Sequence, residues 1–290
     1  MASLRDVQNQ IVGVKKTKQI TKAMNMVASA KLRNAQERIE RFRPYADKFY
    51  EMLGDLAAGA DESVHPLLEV RDEVNTVGIM VTTSDRGLCG AFNGNIINKA
   101  MKLAIKKMAE GKTVKMFCIG KKARDAFKKT DYELARAEAG VMGNFDFSLA
   151  ASVGNELING YVSGALDEVH IVFGEFQGMA KQPPVDLMIL PMAATEDEAA
   201  ESGSGDYLYE PSVEGLLAEL LPRFIKVQVY RGLLDTSCSE HAARMAAMDN
   251  ATKACDDLTS TLTLLYNKTR QAAITGDLMD IVGGVEALKG

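Results

Sequence analysis

Ser84, Asp85 and Cys89 stand within TSDRGLCGAFNGN (83–95), a glycine-rich stretch directly after the apolar run VGIMV. A hydroxyl, a carboxylate and a thiol on a turn between strand and helix could serve a nucleophile or a phosphate loop. A phosphate loop needs G-x-x-x-x-G-K-[ST], and no lysine follows a glycine here. Gly87, Gly90 and Gly94 also miss the G-x-G-x-x-G spacing of a dinucleotide turn. Gly111-Lys112-Thr113 lacks the required earlier glycine, which is Lys106, and precedes a strand instead of following one. Cys89 as a nucleophile wants a base, and His65, His170 and His241 lie in different segments. The spacing favours a tight turn closing a strand on a helix, with no catalytic residue.

Other chemistry is equally thin. There is no H-E-x-x-H and no paired Cys/His spacing, so neither a metal nor a cofactor is expected. His170 sits inside an apolar run and reads as a hydrogen-bonded core histidine. The four cysteines are scattered, which suits reduced thiols. A net charge of −5 gives no reason to expect nucleic acid. The charge is uneven, however: seven basic residues and one acid up to Arg33, then nine acids and no base from Gln182 to Pro222. That asymmetry suggests two different partners. The N-terminus MASLRDVQNQ lacks the apolar core of a signal peptide, and no run approaches a membrane span, so no direct membrane insertion is expected.

The elements that carry these residues follow from periodicity. Steps of three and four from Leu4 reach Val7, Ile11, Val14, Lys18, Thr21, Asn25, Ala28, Leu32, Ala35, Ile39, Phe42, Ala46, Phe49, Leu53 and Leu56. Apart from the consecutive Lys18, Thr21 and Asn25, every position is apolar, the mark of a coiled-coil seam. Pro44 is expected to kink the helix or restart it. A second seam runs from Val227 through Tyr230, Leu234, Ser237, His241, Arg244, Met248, Ala251, Cys255, Leu258 and Leu262 to Leu265. Between the two, short apolar runs at 76–83, 113–119, 168–176 and 184–192 read as buried strands, mostly separated by helical stretches. The alternation predicts a largely parallel sheet, with the last two strands paired as an antiparallel hairpin across GMAKQP.

The fold class expected is therefore α/β: a long antiparallel two-helix coiled coil, from the N- and C-terminal segments, with an inserted Rossmann-like domain. The divisions are 1–60 for the first helix, 75–195 for the α/β domain, 196–211 for an acidic linker and 212–290 for the second helix. Antiparallel helices of these lengths leave about the last twenty residues overhanging, by helical rise. That tail, RQAAITGDLMDIVGGVEALKG, is apolar on much of its circumference and needs a sleeve made by another protein. The polar gap at Lys18, Thr21 and Asn25 has two readings. It sets helix register, or it marks where the helices face something else, with Lys15, Lys16, Lys18 and Lys22 as a positive collar for an acidic partner.

ITKAMNMVASAKL, TSDRGLCGAFN, DYLYEP and YNKTRQAAITGDLMDIVGGVEAL, in this order and spacing across the whole chain, resemble the γ-subunit family of bacterial F-type ATP synthases. The resemblance implies a non-catalytic central rotor shaft, coupling proton flow through a c ring to ATP synthesis or hydrolysis in an α/β hexamer. It implies partners α, β, ε and the c ring, and a peripheral location at the cytoplasmic face of the inner membrane. It implies β-subunit contacts at Lys18, Lys22, Met24, Arg270, Gln271 and Thr275, and contacts toward the c ring and ε at Asp85, Arg86, Tyr207 and Glu210. Gly276 departs from the helix formers more usual in the family, and Asp277 stands where glutamate is usual.

Overall fold

The computed structural model describes residues 3–57, 65–71, 73–192 and 213–289. In chain order the elements are α1 (Leu4–Ala57), β1 (Thr76–Thr82), α2 (Phe92–Ala109), β2 (Thr113–Ile119), α3 (Lys121–Phe127), β3 (Glu133–Glu138), α4 (Phe147–Val162), β4 (Glu168–Gly174), β5 (Pro184–Leu190) and α5 (Val213–Lys289). By internal contacts the chain forms two units. One joins the residues up to Ala28 with those from Met245 on, and the other runs from Ser29 to Arg244.

The first unit is an antiparallel helix pair. Helix α1 starts on a reciprocal cap: the Asp6 N–H donates to Ser3 Oγ (3.2 Å), and the Ser3 N–H donates to Asp6 Oδ2 (3.1 Å). Along α1 the seam positions Val7, Thr21 and Ala28 are buried, and Ile11, Val14, Lys18 and Asn25 are half-buried. On the partner helix of the pair, α5, Met248 and Leu262 are buried. Leu258 and Leu265, expected on the seam, are instead 48% and 45% exposed. A strict 3.5-residue step drifts against the 3.6-residue turn of an α-helix, so a heptad pattern stays on one stripe only as far as the pair supercoils.

The second unit is a three-layer α/β domain. Its sheet has the order β3-β2-β1-β4-β5, with all neighbours parallel except β4 and β5. The predicted hairpin is present. Helices α2 and α3 cover one face, where Phe92, Ile96, Ala100, Ala104, Ala123 and Phe127 meet Ile79, Val81, Met116 and Val172. On the other face α4 brings Val153, Leu157 and Tyr161, and the first turns of α5 bring Leu217, Leu221, Ile225, Val229 and Leu233. Here α5 is buried on most of its circumference and no single stripe describes it, because α1 packs on it as well, through Phe42 against Tyr230 (ring centroids 5.1 Å).

Two expectations need correction. Pro44 does not restart the helix: α1 runs from Leu4 to Ala57 with the proline inside it, and the one missing hydrogen bond is offset by the packing of Phe42, Ala46 and Phe49 around it. Second, a fifth strand, β3, occupies ELARAE, which no apolar run announced. Its exposure alternates as an edge strand should, and pairing with β2 overrides the helical preference of Glu, Leu, Ala and Arg.

Candidate functional site

The 83–95 turn lies where β1 hands over to α2, and it is built as an internal clasp. Three consecutive residues satisfy the first three amides of α3. Asp85 Oδ1 accepts from Lys121 N (2.9 Å), the Ser84 carbonyl from Lys122 N (3.2 Å), and Thr83 Oγ1 from Ala123 N (2.8 Å). Asp85 also takes the amides of Gly140 (2.8 Å) and Met142 (2.9 Å), which ties the loop after β3 to the same carboxylate. A helix N-terminus open in this way would attract an anion; here a side-chain carboxylate already fills it. Gly120 makes the approach possible: at φ 102° it holds the left-handed conformation, and a Cβ there would sit 2.1 Å from the Thr83 carbonyl oxygen.

Ser84 and Cys89 are equally committed. The Ser84 hydroxyl donates to the Arg86 carbonyl at 2.6 Å and accepts from Asn93 Nδ2 at 2.8 Å. Asn93 Nδ2 also lies 3.0 Å from Cys89 Sγ. Burial pushes the Cys89 thiol up, against the pull of the Arg244 guanidinium, so the thiolate that nucleophilic attack requires is disfavoured. Leu88, with φ 62°, and Arg86 are the exposed residues of the turn tip.

In an open sheet of this order, ligands bind beyond the carboxyl ends of the strands where the order reverses, here between β1 and β4. Helix α5 fills that crevice. Ser239 Oγ donates to the Gly174 carbonyl at the end of β4 (3.0 Å), and Arg244 donates to the Gly87 carbonyl (3.1 Å). Glu240 accepts from Arg244 at 2.7 Å, and both side chains are nearly buried. Gly174 closes the space further, since a Cβ there would meet the Phe92 ring at 2.4 Å. Among the described residues no group of three His, Cys, Asp or Glu side chains could hold a metal ion. His170 is the core histidine expected: buried, with Nε2 2.6 Å from Glu168 Oε1.

In the helix-pair unit the polar gap is matched across the seam. Lys18 pairs with Asp256, Thr21 Oγ1 lies 2.8 Å from Thr252 Oγ1, and Asn25 Nδ2 donates to the Met245 carbonyl at 2.8 Å. Three cross-helix polar contacts in one register favour the register reading of the gap. Lys15, Lys16 and Lys22 are exposed beside it, and Met24 is half-buried. Carried to the start of α1, this register sets Leu4 level with about residue 270, at equal helical rise. Beyond that point every described side chain, Arg270, Gln271 and Thr275 among them, is exposed. Ile274, Leu278, Met279, Ile281, Val282 and Leu288 are each more than half exposed.

A protein-family model described as ATP synthase matches residues 3–288. The ATP synthase gamma chain of Maridesulfovibrio salexigens is 73% identical, over the full length of both chains. This chain belongs to the ATP synthase γ-chain family. The γ chain of Nitratidesulfovibrio vulgaris, strain Miyazaki F, is 69% identical, again over the whole of both. The fold recurs in a chain of the Euglena gracilis mitochondrial ATP synthase, with a TM-score of 0.66 at 24% identity over 98% of this chain and 94% of that one. A chain from the central stalk and c ring of the Tetrahymena thermophila enzyme gives 0.60 at 24% identity, over 80% of this chain and 99% of that one.

Within this family frame the predicted contact residues fall into three groups. Lys18, Lys22 and Met24 share one stretch of α1, while Arg270, Gln271 and Thr275 share the exposed end of α5. Asp85 and Arg86 share the turn, but differ in kind: the Asp85 carboxylate is engaged by three backbone amides and Arg86 is exposed. Tyr207 and Glu210 lie outside the described residues, as does the acidic linker. Sequence reasoning missed Glu240, Thr252 and Asp256 as seam and clasp partners. Glu240 and Arg244 carried a signal in their i, i+4 spacing; the other two are ordinary helix-surface residues until the second helix is placed opposite.

Proposed function

We propose that this γ-family chain is the rotating central shaft of an F-type ATP synthase and carries no catalytic chemistry of its own. The observation that supports this most is the end of α5, whose apolar side chains are exposed on all sides of one helix. Such a surface is stable in water only inside a sleeve, and an α/β hexamer is a sleeve of the right kind. The filled crevice and the committed side chains of the 83–95 turn argue against a free-standing nucleotide enzyme.

In this reading α and β surround the helix pair, and ε and the c ring hold the α/β domain. The complex lies at the cytoplasmic face of the inner membrane. Lys18, Lys22 and Met24 low on the shaft, and Arg270, Gln271 and Thr275 near its tip, contact β. Arg86, Tyr207 and Glu210 contact ε or the c ring, and Asp85 shapes the turn that presents Arg86. Two unlike helices have no rotational symmetry, so each β subunit meets a different face and its site is biased toward a different affinity. Rotation exchanges the biases, and proton flow sets its direction. The coupling is a difference in contact free energy between states, with no bond made or broken on this chain.

The test is a gentle tagged purification from the native cell, with subunit stoichiometry and ATPase activity read on one sample. Three α and three β per copy of this chain, with activity, is the expected result. A lone chain or homodimer overturns the reading.

A further inference from the structure

Between α1, the segment after β4 and α5 lies a cleft of about 230 Å3. Phe42 and Leu234 give it an apolar floor, while Arg43 and Asp47 from α1, Glu175 after β4, and Arg231 and Asp235 from α5 give it a charged rim. Asp235 is the most enclosed of the pair on α5: its side chain is 13% exposed, against 42% for Arg231. The Arg231 Nε stands 3.7 Å from Asp235 Oδ2, too far for a hydrogen bond. After Arg231, the backbone N–H of Phe176, the first residue beyond Glu175 on the way into the β4–β5 hairpin, also favours the ionised carboxylate. Glu175 itself faces Asp235 as a like charge.

We propose that this cleft is a proton-operated latch, in which protonation of Asp235 draws the base of the β4–β5 hairpin against α1 and α5, and ionisation loosens it. Ionised, Asp235 is a poorly solvated charge in the same cleft as Glu175, offset in part by the guanidinium groups of Arg231 from its own helix and Arg43 from α1 and by the Phe176 amide. Asp47, also from α1, adds a further negative charge to the rim. Protonated, it can donate to the Glu175 carboxylate and the repulsion becomes an attraction. Burial, with Glu175 adding and Arg231 opposing, pushes the Asp235 carboxyl from 3.8 up to about 6. The folded value lies above the unfolded one, so the closed latch binds the proton more tightly than the open one. Closure therefore strengthens as pH falls through about 6 and gains nothing more below 3.8.

Hydrogen exchange on the full-length chain at pH 7 and pH 5, corrected for the intrinsic pH dependence of exchange, reads this opening in the peptide spanning 174–184. Protection there is expected to rise about tenfold from pH 7 to pH 5 in the wild type, while peptides of β1 and β2 stay level. Asp235→Asn, uncharged at both pH values, should abolish the rise. Glu175→Gln, which removes the like charge, should diminish it and serves if the first variant folds poorly. Equal wild-type protection at both pH values overturns the latch, as does an undiminished rise in either variant. No partner enters the measurement, so its outcome is independent of the shaft reading.

Discussion

Asp85 and Glu168 are carboxylates with opposite duties. Asp85 accepts three backbone amides from two elements, so Asp85→Ala leaves α3 and the loop after β3 uncapped together. We expect a loss of about 2 kcal/mol, read as a lower urea midpoint for the α/β domain. Asp85→Asn, which keeps one acceptor oxygen, should lose less; an unchanged midpoint in the alanine variant would mean that water replaces the carboxylate. Glu168 is a buried ion with company. Burial raises its carboxyl, but hydrogen bonds from His170 and Lys107 prevail and hold it at about 2, below its ordinary 4.5. A depressed folded value contributes stability in full above 4.5, and that contribution is lost as pH falls toward 2. Glu168→Gln should flatten this acid limb of stability against pH, and should also weaken the fold at pH 7 by leaving Lys107 buried without its partner. An acid limb as steep as in the wild type would assign the loss to other groups.

At the scale of elements, the end of α5 invites a different change. Gly276 lies in the exposed part of the helix, and a Cβ there would meet nothing within 4 Å. Gly276→Ala should therefore stabilise the local helix by about 1 kcal/mol through backbone entropy alone. Amide protection around residue 276 should rise about fivefold in hydrogen exchange; no change would mean the helix is held by something other than its own propensity. The strands at 76–82 and 168–174 were legible because each is apolar without interruption, as a strand covered on both faces must be. The strand at 133–138 was not, since an edge strand needs little apolar content and its composition favours a helix. Local preference yields there to the ladder offered by β2.

At the scale of the molecule, the basic stretch of α1 and the acidic character of its proposed partner make Met24 the position to charge. Met24 is half-buried on the helix pair, with Lys22 exposed beside it. In the shaft reading, Met24→Lys places a new cation against β and binds it too firmly in some orientations. Rotation then loses its even exchange of states. Proton pumping in inverted vesicles should fall while the amount of assembled complex and its ATPase activity in solution stay near wild type. Undiminished pumping would remove Met24 from the coupling contact.

The heptad stripe of α1, the four apolar strands and the exposed apolar tail were determined by the sequence itself, because each is a pattern that one element carries alone. Which partners the side chains of TSDRGLCGAFNGN take was decided only by tertiary structure. Its serine, aspartate and cysteine are ambiguous until α3 arrives to take up three of its acceptors and α5 arrives to fill the crevice behind it. The same holds for Lys18, Thr21 and Asn25, whose polarity in an apolar seam has meaning only against Asp256, Thr252 and the Met245 carbonyl. A side chain's type sets which bonds it can make; which of them it makes depends on residues more than two hundred positions away, brought near by packing.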